Sequence, residues 1–393
     1  MAETKRRITI EDLYKMQWVG DPQVSPDGKQ IVYVVKTVDP HDKTKYLSRI
    51  WLVATENGQP RQLTAGPKTD SSPRWSPDGG QLAFTTNRAD GTQIFLLPLV
   101  GGEAKQLTMG KNTAGTPVWS PDGKKIAFIS KVSSEAESCG KPEEKSDVKV
   151  IARLHYKQNG EGFLGDRNAQ IFVVDVTTGE QKQLTSSDHD CAGVNWSPCS
   201  SFLAFSSNRT PDSDYNRQSQ IWVMPAAGGE LRQVTSGEGP CSNPSWSPDG
   251  SQIAYLSHNH EYGTATLNRI YLIPAMGGEA RVLTADFDRE PGNACGSDMV
   301  SSSDPGLVWA ADGSHITFLA TDGPRTKIYS VTTCCCPKVT QVSPDVDQVI
   351  YGMTHRGGTY ALTVTDPQLI GDIHVLQDGA LCRLTNHNQA LQG

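Results

Sequence analysis

The sequence has no apolar run approaching the roughly 18 residues that a membrane-spanning helix needs. Its first twenty residues, MAETKRRITIEDLYKMQWVG, also lack the apolar core of a secretion signal. Nor is there an excess of basic residues, because 36 basic and 43 acidic residues are mixed along the chain and leave a net charge of −7. Such a balance does not favour binding to nucleic acid phosphates. We therefore expect a soluble, unexported protein without a membrane or nucleic acid partner.

Signatures of catalysis and of metal or nucleotide binding are absent as well. The chain contains no G-x-S-x-G nucleophile elbow, no H-E-x-x-H zinc pair and no G-x-x-x-x-G-K-[ST] phosphate loop. Its nine cysteines are odd in number and show no paired spacing, which argues against the disulfide framework of a secreted domain. The sequence thus predicts no catalytic, cofactor-binding or metal-ligating residue. It also predicts a reducing compartment, the cytoplasm.

What the chain does contain is a repeat built on the five residues WSPDG, which begin at Trp75, Trp119 and Trp246. Two polar residues and a triplet, usually apolar, small and aromatic, follow the turn. Pro presets φ, Asp bonds its own backbone and Gly tolerates positive φ, so the turn is tight. The register fits seven times, with turns that begin at Ser25, Ser76, Ser120, Ser197, Ser247, Ala310 and Ser343 and triplets that end at Tyr33, Phe84, Phe128, Phe205, Tyr255, Phe318 and Tyr351.

Each repeat continues with a short β-rich run that begins at an isoleucine, and it closes on an apolar residue followed by threonine. The closing residues are Thr64, Thr108, Thr185, Thr235, Thr284, Thr340 and Thr385. Four strand-length segments without helical periodicity predict a four-stranded antiparallel meander. Seven such units are typical of an all-β, seven-bladed β-propeller. The predicted blades are 20–64, 72–108, 116–185, 193–235, 243–284, 306–340 and 341–385, within a single propeller over 1–393.

A tryptophan precedes five of the seven turns. Because five equivalent positions imply five equivalent interfaces, we expect these side chains to pack between neighbouring blades rather than to line a ligand cage. They are Trp75, Trp119, Trp196, Trp246 and Trp309. Every repeat carries its four strands in chain order, so no blade borrows a strand from the other terminus. We expect no shared closing blade, with side-chain packing alone joining the first blade to the last.

Nearly all insertions fall between strands two and three or between blades, and these connections share one face of a meander. They span 36–49, 131–169, 208–220, 258–269 and 285–307. Long loops on a rigid scaffold commonly carry binding, so this face is the candidate partner surface. The blade-three insertion includes VKVIARLHYKQNGEGFLGDRNAQ, whose alternating apolar residues favour an extra hairpin. Arg153 or Tyr156 as a peptide anchor is the alternative to a hairpin that packs on the scaffold, and packing is favoured.

Three further features admit a structural and a chemical interpretation. Cys334, Cys335 and Cys336 replace the Gly-Gly-Glu turn of other blades. A soft-metal or oxidant-reactive site is one interpretation, and a plain turn is favoured because no second cysteine pair is nearby. The repeated aspartates lack the D-x-D-x-D-G ladder of a calcium loop. His189 between two aspartates is typical of a surface loop rather than of an acid/base pair.

The WSPDG series, the isoleucine-initiated strand, the Gly-Gly-Glu turn and the closing Leu-Thr resemble the TolB-type propeller and the N-terminal propeller of the prolyl oligopeptidase family. Two longer stretches, MQWVGDPQVSPDGKQIVYVV and ARLHYKQNGEGFLGDRNAQIFVVDVTTGEQKQLTSSDHDCAGVNWSP, are most similar to its acylaminoacyl-peptidase and dipeptidyl-peptidase branch. The departures are local: Cys199-Ser200 replaces Asp-Gly, Ala310-Ala311 replaces Ser-Pro, and Val346 replaces Gly. They weaken individual turns and leave the architecture intact.

The resemblance implies an α/β-hydrolase domain with a serine, aspartate and histidine after the last blade. Eight residues, 386–393, follow Thr385, so we expect the hydrolase domain to be absent and none of its catalytic residues to map onto this chain. In that family the propeller limits access to the active site. We expect a non-catalytic propeller that gates short peptides and docks on the catalytic domain. A free-standing TolB-like interaction propeller is the alternative, and a pore-centred enzyme lacks a converging set of acids or histidines.

Overall fold

A computed structural model of the protein describes residues 7, 9–56, 58–133, 151, 153–165, 167–295 and 304–391. The regular structure of these residues consists of seven large antiparallel sheets, one separate two-stranded hairpin and three short 3-10 helices, Ile10–Lys15, Gly263–Ala265 and Gln389–Leu391. In six of the seven large sheets four strands follow chain order, and in blade six the first strand is divided into two parts that both pair with the next strand. The all-β, seven-bladed β-propeller of four-stranded blades is therefore confirmed.

The first three blades illustrate the meander and its one large insertion. Blade one comprises β1 Trp18–Val24, β2 Gln30–Val38, β3 Tyr46–Ala54 and β4 Arg61–Gln62; blade two comprises β5 Asp70–Trp75, β6 Gln81–Ala89, β7 Gly91–Pro98 and β8 Lys105–Gln106. Blade three comprises β9 Val118–Trp119, β10 Lys125–Ser133, β13 Arg167–Asp175 and β14 Gln181–Gln183, and its insertion contains the separate hairpin of β11 Lys157–Gln158 and β12 Gly162–Phe163.

The other four blades follow the same order. Blade four comprises β15 Cys191–Trp196, β16 Phe202–Ser207, β17 Gln220–Pro225 and β18 Arg232–Gln233; blade five comprises β19 Cys241–Trp246, β20 Gln252–Ser257, β21 Arg269–Pro274 and β22 Arg281–Val282. Blade six comprises β23 Glu290–Pro291 and β24 Val308–Trp309, which both pair with β25 His315–Asp322, then β26 Arg325–Thr332 and β27 Val339–Gln341; blade seven comprises β28 Val349–Arg356, β29 Thr359–Asp366, β30 Leu369–Gln377 and β31 Ala380–Arg383.

The repeated Ser-Pro-Asp-Gly turn is closed by its own side chains. Ser25 Oγ donates to Asp27 Oδ1 at 2.6 Å, and the same hydroxyl accepts a hydrogen bond from Gln30 N at 2.9 Å. Gly28 has φ +76°, a conformation that a residue with a Cβ rarely adopts. Equivalent serine and aspartate bonds close the turns at Ser120 and Ser247. The motif thus recurs because these blades need the same reversal between their first two strands.

The chain forms two compact units, Met1–Lys111 with Leu267–Ile270 and Val282–Gly393, and Asn112–Thr266 with Tyr271–Arg281. In the first unit Trp75 packs with residues of blade one, and its Nε1 donates to Gln23 O at 2.9 Å. In the second unit Trp196 and Trp246 lie in clusters shared with the preceding blade. These three tryptophans confirm the predicted packing between blades. Trp119 and Trp309 end β9 and β24 and are half-buried.

The junction between blades one and seven lies within the first unit, and among the described residues no strand is shared across it. Val19 and Tyr33 of blade one are fully buried against Ala361 and Ile373 of blade seven. Hydrogen bonds between side chains and main chain join the blades as well: Tyr351 Oη donates to Val19 O at 2.5 Å, Val24 N donates to Thr354 Oγ1 at 3.2 Å and Thr359 Oγ1 donates to Gly28 O at 3.1 Å. The expectation of packing alone was wrong, because these polar side chains bond backbone groups of the neighbouring blade.

The predicted register of blade seven was also wrong. Ser343 Oγ accepts the hydrogen bond of Ile328 N at 3.1 Å, which is the bond that Thr64 Oγ1 accepts from Ile50 N at 3.0 Å. Ser343 therefore closes blade six, in place of Thr340, and does not begin the first turn of blade seven. That turn lies between β28 and β29, and Tyr351 is on the first strand of the blade rather than the second.

The turn aspartates make the fold sensitive to acid. The Ser247 hydroxyl and backbone N–H groups lower the pKa of Asp249 to about 2, below the roughly 3.9 of an unfolded aspartate. A depressed pKa stabilises the fold above the unfolded pKa, and this contribution is lost as the pH falls through the folded pKa. Asp249→Asn is expected to cost less than about 1 kcal/mol at pH 7, since the group is exposed. Urea unfolding should show that cost shrinking between about pH 5 and pH 2; a cost that is independent of pH would contradict the assignment.

Candidate partner surface and seam cleft

The blade-three insertion carries a two-stranded hairpin in which β11 pairs with β12. The extra hairpin expected from the alternating sequence is therefore confirmed. Its polar first part, 134–147, lies outside the described residues. The two strands that flank the insertion, β10 and β13, pair over their whole length, and the last pair of the ladder is Ser133 with Arg167. The insertion thus leaves and re-enters the blade at directly opposed residues.

Asp214 fastens this hairpin to the blade-four insertion. Leu154 N donates to Asp214 Oδ2 at 2.6 Å, and His155 N donates to Asp214 Oδ1 at 3.3 Å. These backbone hydrogen bonds, with that from Leu154 the strongest, hold the pKa of Asp214 below its ordinary value. The two insertions consequently form one surface. Nothing in the sequence pattern indicated this role, because an aspartate in a polar loop has no distinctive spacing.

Three aromatic side chains on these tethered loops point into solvent. Tyr156 is 44% exposed, Phe163 46% and Tyr215 77%. The rings of Tyr156 and Phe163 are 6.1 Å apart. We call these three residues the aromatic patch. Exposed aromatic groups held on a rigid support mark interaction surfaces, since they bury a large area at a small cost in side-chain entropy.

Of the basic residues of the insertion, Arg153 contacts the scaffold and His155 contacts the blade-four insertion. Arg153 Nη1 donates to Asn168 Oδ1 of β13 at 3.1 Å, and His155 Nδ1 lies 3.6 Å from Asp214 Oδ1. Arg167 is exposed at the start of β13. Arg153 thus bonds the scaffold, whereas the Tyr156 ring is exposed; whether either residue anchors a peptide stays a prediction.

The insertions of the first compact unit differ from those loops. Residues 36–49 continue the ladder of β2 and β3, which pair from Gln30 and Ala54 as far as Val38 and Tyr46. Lys36 Nζ lies 4.5 Å from the centre of the Tyr46 ring, and this cation–π contact joins the extended ends of β2 and β3. Of the insertion 285–307, residues 296–303 lie outside the described part.

A cleft of about 470 Å³ opens where blade one meets the end of the chain. Trp51 forms one wall, and Arg383 and His387 form another. The His387 ring lies edge-on to Trp51 at 5.0 Å, and its Nε2 is 2.9 Å from Tyr33 Oη. Burial lowers the pKa of His387 below its ordinary value and so favours the neutral ring. We call this feature the seam cleft.

The three consecutive cysteines and His189 remain as candidates from the sequence. Within the ranges that the structure describes, no three His, Cys, Asp or Glu side chains are grouped so as to hold a metal ion. Cys334, Cys335 and Cys336 are exposed in the turn between β26 and β27. His189 is half-buried, and burial lowers its pKa. No helix among the described residues combines the length and hydropathy required to cross a membrane.

Comparison with known proteins identifies relatives along almost the whole chain. Residues 2–160 and 163–369 match the model of the TolB beta propeller domain, PD40. The uncharacterized peptidase YuxL of Bacillus subtilis strain 168 is 35% identical over 334 residues, which are 84% of this chain and 50% of YuxL. Dipeptidyl-peptidase 5 of Porphyromonas endodontalis is 35% identical over 79 residues, 20% of this chain and 11% of that protein. This chain therefore spans about half the length of YuxL.

Solved structures share the fold at low sequence identity. The acylaminoacyl peptidase of Pyrococcus horikoshii superposes with a TM-score of 0.73 at 18% identity, over 97% of this chain and 54% of the other. The β-propeller domain of the trilobed protease of Pyrococcus furiosus, described as having an open velcro topology, superposes with a TM-score of 0.65 at 16% identity, over 95% and 99%. These likenesses establish the architecture alone.

Proposed function

The chain belongs to the TolB β-propeller family, and from that membership we propose that it is the non-catalytic propeller of a serine oligopeptidase of the acylaminoacyl-peptidase type. One observation carries the proposal: 84% of the chain aligns with a peptidase, yet the alignment covers only 50% of that peptidase. The other half would be an α/β-hydrolase domain that supplies the nucleophile. The propeller would dock on that domain and admit short peptides, in the cytoplasm and without a cofactor.

The aromatic patch is the surface that we propose for docking. Its loops belong to the blade-three and blade-four insertions, which Asp214 holds together through two backbone hydrogen bonds. A surface that is already ordered loses little entropy on association. Tyrosine and phenylalanine are also enriched at the centres of interfaces. The eight described cysteines are outside disulfides, which accords with the proposed reducing compartment.

Labelling of the native protein tests the peptidase assignment. The intact protein that carries this sequence in its source organism is purified, weighed by mass spectrometry and treated with a serine-directed phosphonate. We expect a mass well above that of 393 residues and stoichiometric labelling outside this chain. A native protein of this length that does not label would support the alternative, a free-standing TolB-like interaction module. Hydrolysis of peptides by the isolated chain would contradict both.

Shortening the blade-three insertion tests the gating role. Because Ser133 and Arg167 are a directly opposed pair, a two-residue Asn-Gly turn can replace residues 134–166 without disturbing the ladder. In the full-length enzyme we expect the ratio of kcat/KM for long over short peptides to rise by about tenfold, equivalent to about 1.4 kcal/mol. The readout is a length series of otherwise identical peptides.

A matched control separates the insertion from a general effect of the surface. Val100, 97% exposed in the turn between β7 and β8, is changed to serine, and we expect no change in the length ratio. If the shortened enzyme is labelled by the phosphonate but keeps the parent length ratio, the gating role is wrong while the peptidase assignment stands. If neither labelling nor hydrolysis is found, the peptidase assignment itself is wrong.

A further inference from the structure

Blade six carries an exposed turn with three consecutive cysteines between β26 and β27. The sulfur atoms of Cys335 and Cys336 are 4.0 Å apart, and both side chains are exposed. Cys334 differs in direction, because its Sγ lies 3.1 Å from the carbonyl oxygen of Cys336. Two of the three sulfurs therefore form a pair that opens to solvent. Blades two, four and five have Gly-Gly at this turn, so the pair is peculiar to blade six.

Hydrogen bonds on both sides hold this turn in place. Thr333 N donates to Ser314 O at 3.0 Å, and Thr333 Oγ1 donates to Gly313 O at 2.7 Å. On the other side Lys338 N donates to Thr332 Oγ1 at 2.9 Å. The anchors lie immediately before and two residues after the cysteines. The dithiol is thus presented by a fixed hairpin.

The backbone spacing of the pair decides which chemistry it supports. Consecutive Cα atoms are about 3.8 Å apart, whereas ordinary disulfides need about 4.4–6.8 Å. A disulfide between Cys335 and Cys336 is therefore strained and easily reduced. A larger atom placed between the two sulfurs removes that constraint, because neither sulfur must reach bonding distance of the other. Soft thiolate ligands select soft, thiophilic elements.

From this geometry we propose that Cys335 and Cys336 form a binding site for trivalent arsenicals of the monosubstituted type. Such a compound keeps its own carbon substituent and needs two sulfur ligands from the protein. The number of ligands fits, because the sulfurs of Cys335 and Cys336 form a pair while the Cys334 sulfur faces the Cys336 carbonyl oxygen. The site is independent of the proposed peptidase function.

The binding reaction is balanced without an oxidant. An arsenical R–As(OH)₂ and two thiols give R–As(S)₂ and two water molecules. Two As–O bonds break and two As–S bonds form, and each thiol proton leaves with a hydroxide as water. Arsenic stays trivalent and no electron is transferred. The thiols must be reduced beforehand, as in a reducing compartment.

Titration of the reduced full chain with phenylarsine oxide tests the proposal. Native mass spectrometry is expected to show one phenylarsenic group per chain, retained in excess monothiol and removed by a dithiol. Cys335→Ser or Cys336→Ser converts a two-point attachment into a single one. We expect the apparent affinity to fall at least about 100-fold in each variant, because the effective concentration of the second thiol is lost.

Two serine variants serve as matched controls. Cys334→Ser should keep the affinity within about threefold, since the Cys334 sulfur faces the Cys336 carbonyl oxygen. Cys199→Ser removes an exposed thiol whose pKa is lowered by hydrogen bonds from Ser197 and Ser201, so it reports on plain thiol reactivity. It should leave binding unchanged. Full binding by the Cys335 or Cys336 variant, or an equal loss in the Cys334 or Cys199 variant, would overturn the two-sulfur site.

Discussion

Gly239→Ala is expected to lower the free energy of unfolding by about 3 kcal/mol, the upper part of the range for overpacked sites. Gly239 is buried in the loop that leads into blade five, and a Cβ built on it would lie 1.7 Å from the carbonyl oxygen of His258. The opposing atom belongs to the backbone, so no change of rotamer relieves the overlap. The loop itself is held by Gln220 Nε2, which donates to Gly237 O at 3.0 Å.

Gly237 in the same loop is a matched control. It is exposed, and a Cβ at this position would meet no atom within 4 Å. Gly237→Ala should therefore change stability by less than about 0.5 kcal/mol, with a small gain from the stiffer unfolded chain. Urea unfolding followed by circular dichroism measures both variants. Equal losses of stability in the two variants, or no loss in the Gly239 variant, would show that the backbone of the loop can move to accommodate the added methyl group.

The repeat pattern was sufficient to predict the fold because each of its residues has a local physical reason. Ser, Asp and Gly of the turn form the same hydrogen bonds and the same positive φ in blades far apart in the chain. Glycine also meets the preceding blade: a Cβ on Gly79 would lie 3.5 Å from the Pro26 ring, and one on Gly250 would lie 3.6 Å from Pro198. The motif thus encodes a turn and part of an interface together.

Blade seven shows where the pattern misleads. The stretch VSPDV shares the three residues Ser-Pro-Asp with the repeated turn. Its serine hydroxyl, however, accepts the hydrogen bond that a threonine hydroxyl accepts at the end of other blades, and so it ends blade six. The replacement of glycine by Val346 was the available signal, since φ positive is what the turn requires. The true turn contains Gly357, whose carbonyl oxygen would lie 2.8 Å from a Cβ on Gly28 of blade one. Alignment of the repeats within one sequence cannot distinguish a serine hydroxyl that closes the first turn of a blade from one that closes the preceding blade.

The candidate surfaces were only partly predictable for a different reason. Loop lengths located the hairpin, because an insertion must leave the ladder wherever strand pairing stops. Which side chains join two insertions depends on three-dimensional proximity, as with Asp214 and the backbone of Leu154, 60 residues apart. Tyr33 and His387 of the seam cleft are 354 residues apart. No repeat in the sequence connects residues so far apart, so the aromatic patch and the seam cleft could be identified only from the three-dimensional structure.

Asp372→Ala is expected to lower the free energy of unfolding of the first compact unit by about 3–5 kcal/mol, because it leaves more than one buried hydrogen-bond donor without its acceptor. The carboxylate is fully buried and accepts hydrogen bonds from Arg383 Nη2 at 2.6 Å, Thr385 Oγ1 at 2.6 Å and His387 N at 3.1 Å. Removing it takes one acceptor from Arg383, which is exposed and still donates to Thr385 O, and it leaves the Thr385 hydroxyl and the His387 N–H without this acceptor. Asp372→Asn keeps the shape and one acceptor oxygen, so it should cost less, about 1.5–3 kcal/mol.

The equivalent position in other blades explains why an acid stands there. In blades two and four it is a buried glutamine that donates to the loop entering the next blade, from Gln93 to Gly110 O at 3.1 Å and from Gln220 to Gly237 O at 3.0 Å. Residues 384–391 follow the last strand of blade seven and contact blade one, and we call them the tail. Here the tail donates the hydrogen bonds and the Asp372 carboxylate accepts them. The same position thus holds the segment that leaves a blade, as a hydrogen-bond donor when it is glutamine and as an acceptor when it is aspartate.

The tail held by Asp372 carries the amide that joins the two ends of the described chain. Asn388 Nδ2 donates to Gln17 O at 2.8 Å, and Gln17 N donates to Asn388 Oδ1 at 2.9 Å, so one side chain satisfies both backbone groups as a neighbouring strand would. Loss of Asp372 should release this pair. We expect hydrogen exchange at the Gln17 amide to accelerate at least about tenfold, beyond any change at the blade-two amides.

Asp378→Asn is the control for that experiment, because Asp378 is exposed in the turn after β30 and asparagine also tolerates its φ of +50°. Stability should fall in the order parent and Asp378→Asn, then Asp372→Asn, then Asp372→Ala. Destabilisation with an unchanged rate at Gln17 would mean that the tail is held by packing against Trp51 and Tyr33 rather than by the carboxylate. Faster exchange in the Asp378 variant would assign the effect to the turn instead, since that change leaves every Asp372 hydrogen bond in place.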